Sequence, residues 1–113
     1  MDSKLQYKLL VESLNLLASS YENQKNSLPD FTEVKDEIIA SFGDAFLLLP
    51  QLIEQDFLSK KAIASIIRCF NWMELAARND SVSDLESFIN HETWSKVREL
   101  AGEALKDMNE ERF

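Results

Sequence analysis

The 113 residues hold only two glycines, two prolines, one cysteine and one histidine. So few glycines and prolines exclude a β-rich fold, which needs many tight turns and residues that tolerate positive φ. The single cysteine, Cys69, excludes an intramolecular disulfide framework and suits a reducing compartment. The longest apolar run, Ala45 to Pro50, is six residues. A membrane span needs roughly 18. The opening Met-Asp-Ser-Lys-Leu-Gln-Tyr-Lys lacks the basic and apolar regions of a signal peptide. A cytoplasmic location is therefore expected.

Basic residues are also scarce, 12 against 20 acids, for a formal charge of −8. Nucleic-acid binding rests on neutralising phosphates with Lys and Arg, and an anionic membrane surface makes the same demand. The sign therefore argues against both partners and favours rapid capture of a basic protein.

What is present is helix-forming stock: Leu, Ala, Glu, Lys and Ser. Leu5, Leu9, Leu10, Leu14, Leu17 and Tyr21 recur at helical spacing and predict a helix over residues 4–23. The polar run from Glu22 to Ser27 reads as a loop. Asp30 with Glu33 forms a capping box for a second helix, whose stripe is Phe31, Val34, Ile38 and Phe42. Gly43 follows that stripe where a terminating glycine belongs. A third, shorter helix spans residues 44–57, starting near Pro50 or kinked there.

Ser59 caps a fourth helix over residues 60–77. Its main stripe is Ile63, Ile66, Ile67, Phe70, Met73 and Ala77. Ala62, Cys69 and Ala76 widen that stripe, so the helix reads as central and apolar over much of its circumference. Ser81 with Asp84, or Ser83 with Glu86, caps a fifth helix bearing Val82, Leu85, Phe88 and Ile89. A last helix over 92–108 turns Trp94, Val97, Leu100, Ala101, Leu105 and Met108 inward, followed by a frayed tail. One all-α domain over residues 1–113 is predicted: a compact bundle of about six helices, or antiparallel pairs stacked as a short α-solenoid.

No constellation for catalysis emerges. His91 is followed by Glu92, but His-Glu-Thr-Trp-Ser lacks the second histidine of a zinc-protease helix. A lone histidine at a helix end reads as a cap or a surface residue. Cys69 lies in an apolar stripe, where its thiolate is disfavoured. Asp36-Glu37 and Glu110-Glu111 are adjacent pairs that diverge around a helix and do not converge on one ion. No glycine-rich phosphate loop exists. The expectation is a non-enzyme with no metal and no cofactor.

The charges are grouped. Residues 30–56 hold seven acids against Lys35, and residues 80–92 hold four acids and no Lys or Arg. Between them, residues 57–79 hold Lys60, Lys61, Arg68 and Arg78 against one acid, a local counterweight to the acidic neighbours. Clustered like charge costs stability, which favours a binding surface. The candidate partner-binding residues are Asp36, Glu37, Asp44, Asp80, Asp84 and Glu86, with Trp72 as an aromatic anchor. Whether the blocks form one surface or two stays open, as does the oligomeric state.

Three segments carry a resemblance: Phe42-Gly43-Asp44 leading into Leu47-Leu48-Leu49-Pro50, Phe70-Asn71-Trp72-Met73-Glu74, and Phe88-Ile89-Asn90-His91-Glu92. Together with the acidic helical character, they resemble small immunity proteins of bacterial toxin–immunity systems, including contact-dependent growth inhibition. The resemblance implies a protein that neutralises a cognate toxin, often a basic nuclease such as an RNase, by covering its active site. A regulatory adaptor that binds a host protein or peptide in a groove between helices is the alternative.

Overall fold

The computed structural model describes residues 2–82 and 84–110. Seven α-helices form among them and no strand: α1 (Ser3–Ala18), α2 (Tyr21–Ser27), α3 (Val34–Leu47), α4 (Leu49–Glu54), α5 (Lys60–Arg78), α6 (Leu85–Asn90) and α7 (Glu92–Asp107). The four long helices make an antiparallel bundle and the short ones close its ends. The Tyr7 hydroxyl at the start of α1 donates to the Glu110 carboxylate at 2.9 Å, beyond the end of α7. Lys61, at the start of α5, pairs with Asp107, at the end of α7, at 3.6 Å. Gln6 of α1 donates to Gln51 of α4 at 2.6 Å, which places the end of α3 beside the start of α1. Because α1 packs directly on α7, the chain closes first helix to last. That is a bundle, and an open solenoid stack, in which only sequence neighbours touch, does not form.

The buried side chains run through the bundle axis: Leu10, Leu14 and Leu17 from α1, Ile38 and Phe42 from α3, Ile66 and Met73 from α5, Trp94 and Leu105 from α7. The α3–α5 side is filled by half-buried rings, with Phe46 stacked on Phe70 at 3.9 Å and 4°. α4 starts at Leu49 with Pro50 in its first turn, where a missing N–H costs nothing. It ends in a left-handed Asp56 (φ 60°), the Phe57 N–H donating to the Leu52 carbonyl at 3.0 Å.

Several expectations are corrected. The first predicted helix breaks at Ser19-Ser20, because Ser20 accepts from the Asn23 N–H at 3.2 Å and starts a new helix. The polar run expected to be a loop is that helix, α2. It is anchored by buried Gln24, whose amide donates to the Leu16 carbonyl at 3.0 Å. Asp30 does not cap α3; Glu33 holds the cap position without a side-chain hydrogen bond. Gly43 does not end that helix, which continues to Leu47 so that Phe46 reaches Phe70. α5 is not buried all round. Ala62, Ser65, Ile66, Cys69, Met73 and Ala76 form its inner face, while Ile67 and Leu75 are exposed.

The predicted cap of α5 holds, the Ala62 N–H donating to the Ser59 hydroxyl at 3.1 Å; of the two readings of His91, cap or surface residue, the structure makes it the cap of α7, the Thr93 N–H donating to its Nδ1 at 3.1 Å. Ser81 lies in a 3-10 turn (Asp80–Val82), and Asp84 is the cap residue of α6. The alternative cap at Ser83 lies outside the described residues, as does the tail from residue 111.

Candidate functional site

One end of the bundle collects α2, the starts of α3, α6 and α7, and the end of α5. It is held together by aromatic rings in sequence. Tyr21 of α2 meets Phe88 of α6 edge-on at 6.3 Å, and Phe88 meets Trp94 of α7 at 4.9 Å. Trp94 Nε1 donates to the Val82 carbonyl at 2.9 Å, which fixes the 3-10 turn carrying Asp80. Arg98 donates to the carbonyls of Phe88 and Ile89 at 3.0 and 3.1 Å, so this cation is spent on the end of α6. Burial pushes its pKa down from the usual guanidinium value.

These supports set the acids out at the same end. Asp36 and Glu37 occupy the first turn of α3, exposed. Asp84 caps α6, and Glu86 lies in its first turn. The α2–α3–α6 junction leaves a cleft of about 550 Å³ whose walls include Tyr21, Lys25, Asp30, Glu33, Asp36 and Leu85. Asp84 is held below the usual carboxylate range, first by the Ser87 hydroxyl and then by backbone N–H groups of Asp84 and Ser87, with Lys35 the smallest contribution. Residues 30–37 carry four acids and one lysine, and residues 80–92 carry four acids and no Lys or Arg. Residues 30–37 of the first acidic block and the second block therefore share one end, with Lys25 and Lys35 beside the cleft, whereas Asp44, Glu54 and Asp56 lie away from it.

Asp44 is separate. It lies eight residues beyond Asp36, about 12 Å along α3, in a side groove against α1. Trp72 sits on the α5–α7 side, 37% exposed, in a shallow depression with Glu92, Lys96 and Glu99. It borders that depression together with the first turns of α7 and shows a face to solvent.

Two residues of this end were assigned to helix cores by periodicity. Phe31 is 91% exposed and Leu85 is 54% exposed. The signal that could have moved Phe31 outward is Leu28-Pro29-Asp30, a turn sequence, with the Thr32 N–H donating to the Pro29 carbonyl at 2.9 Å. A surface of carboxylates with protruding apolar groups can take up lysine or arginine side chains, their stems lying against Tyr21 and Leu85.

Burial pushes the Cys69 thiol up to about 12, and the thiol donates weakly to the Val97 carbonyl at 3.8 Å. Among the described residues no group of three His, Cys, Asp or Glu side chains is placed to hold a metal ion, and no helix is long and apolar enough to cross a membrane. Compared with protein-family models, with curated proteins and with solved structures, the chain gives no match.

Proposed function

We propose that this chain captures a basic protein partner at the acidic end of its bundle. The partner is a toxin, neutralised by coverage of its active site as by the immunity proteins the sequence resembles. The carrying observation is a cleft lined by Asp30, Glu33 and Asp36 and closed by Leu85 of α6, the helix that carries Asp84 and Glu86, with Phe31 and Leu85 exposed beside it. Carboxylates from separate elements repel one another when gathered, and exposed apolar groups forfeit burial. A partner that is basic and partly apolar relieves both costs. A nuclease grips phosphates with Lys and Arg, so carboxylates can stand in for phosphates in its cleft. Charge speeds the encounter, and the apolar anchors slow dissociation.

On this reading a gene immediately upstream should encode a large protein that ends in a basic toxin domain, and the test is co-production with that domain in a sensitive host. Cells should survive with the wild-type chain and die with Asp36→Lys/Glu37→Lys/Glu86→Lys. Affinity measured with the purified pair should fall steeply as salt rises. Protection and affinity that ignore both the charge reversal and the salt would sink the proposal.

A further inference from the structure

Helix α1 gives Leu10, Leu14 and Leu17 to the core and carries a second leucine stripe that the core does not use. Gln6, Ser13 and Asn15 are buried, while Leu5 is 46% and Leu9 37% exposed. Leu16, next along that outer stripe, is half-buried. Leu5, Leu9 and Leu16 face the same side, at steps of four and seven. The stripe runs about 16 Å along the helix, or three turns. Opposite it, α3 presents Ser41 and Asp44, Leu48 follows at the helix's end, and the two helices enclose a mostly apolar groove of about 430 Å³. Small side chains, Ser13 and Ala45, make its floor, and the Ser13 hydroxyl is turned away to the Leu10 carbonyl at 2.8 Å.

We infer that the α1–α3 groove docks a cationic amphipathic helix of another protein. The walls dictate the shape of the occupant. Both are helices whose backbone groups bond internally, so no edge is offered to a strand. A trough between antiparallel helices, floored by small residues, receives the ridge of a third helix. Charge dictates the rest. Glu12 and Asp44 flank the leucines and call for Lys or Arg beside the occupant's apolar face. Glu12 already reaches Lys8 at 3.9 Å, but both are exposed and that pair is readily exchanged. The inference does not depend on the acidic end, since the groove lies on the side of the bundle.

The probe is a synthetic three- to four-turn peptide of Leu, Lys and Gln, with Leu along one face, and a scrambled peptide of the same composition. Titrated into the isotopically labelled full chain, the patterned peptide should shift the amides of Leu9, Ser13, Leu16, Ser41, Ala45 and Leu48. It should bind about tenfold more tightly than the scrambled one. Ser41→Trp fills the trough from its half-buried wall. It should abolish those shifts while leaving the circular dichroism and thermal midpoint of the free chain unchanged. Asp44→Lys should weaken the peptide and flatten its salt dependence. Equal binding of both peptides, or shifts centred on residues 30–37 and 80–92, would overturn the inference. So would self-association on sedimentation with the same groove amides shifting, since that would assign the groove to a second copy of this chain.

Discussion

Replacing Gly43 with alanine should stabilise the protein, and the sign of the effect discriminates between two accounts of α3. Gly43 lies inside that helix, with no positive φ. A Cβ built on it meets no heavy atom within 4 Å. Alanine therefore adds no clash and removes the backbone freedom that an interior glycine loses on folding. That freedom is worth about 0.8–1 kcal/mol per residue. A domain of this length unfolds with an entropy of about 0.24 kcal/mol/K at its midpoint, so the midpoint should rise by about 4 °C. Differential scanning calorimetry and urea titration read it, with an unchanged urea slope showing that the same surface unfolds. If glycine instead ended the helix in a left-handed conformation, alanine would cost about 1 kcal/mol and lower the midpoint. A fall of that size would refute the continuous helix and, with it, the placement of Phe46 on Phe70.

Three further outcomes follow from buried or bonded titratable groups. The Ser65 hydroxyl and then Lys61 hold the Asp107 carboxyl below its ordinary range. The stability it adds is present above the unfolded carboxylate pKa of about 3.9 and is lost as pH falls through the lower folded value. Asp107→Asn should thus be less stable than wild type at pH 7, and urea midpoints of the two should converge below about pH 4. The Tyr7 hydroxyl, desolvated and bonded to Glu110, is pushed up to about 12. Its contribution is complete below about pH 10 and is lost as pH rises toward the folded value, so Tyr7→Phe should remove part of the alkaline destabilisation seen by circular dichroism. Cys69, with its thiol pushed up to about 12 by burial, should resist iodoacetamide at pH 8 in the native state and react once urea unfolds the chain. Rapid labelling of the folded protein would contradict its placement.

The helices that periodicity placed best are those whose stripe, cap and burial agree. α7 turns Trp94, Val97, Leu100, Ala101, Leu105 and Met108 inward as expected, and α5 starts at its serine cap. Failure begins where a helix carries two apolar stripes. In α1 the leucines cover two adjoining faces, and spacing cannot say which one meets α7 and which one meets solvent. Packing chose the face that includes Gln6 and Ser13 and left Leu5 and Leu9 outside. α2 was not readable because a helix of seven residues gains little from propensity. It is fixed by a cap and by the Gln24 amide, a contact made only once α1 has formed.

The same division runs through the candidate surface. The identity of the acids was plain in the chain, since charge can be counted. Their convergence was not, because it depends on which helix ends share one end of the bundle. An up-down-up-down arrangement puts the starts of α3 and α7 together with the end of α5, and the short α6 beside them. Residues 30–37 and 80–92 are therefore brought together by topology alone. Asp44 belongs to the same stretch of sequence as Asp36 but not to the same surface, because two turns of helix carry it to the side wall. Phe31 and Leu85 were misread for a related reason. Periodicity assigns an apolar residue to the nearest stripe, whereas a turn or a cap frees it to face water. Local rules and the global arrangement agree through α5 and α7 and part at α1, Phe31 and Leu85. Those are the places where the fold leaves apolar side chains exposed, and the local rules fail there because no neighbouring element covers them.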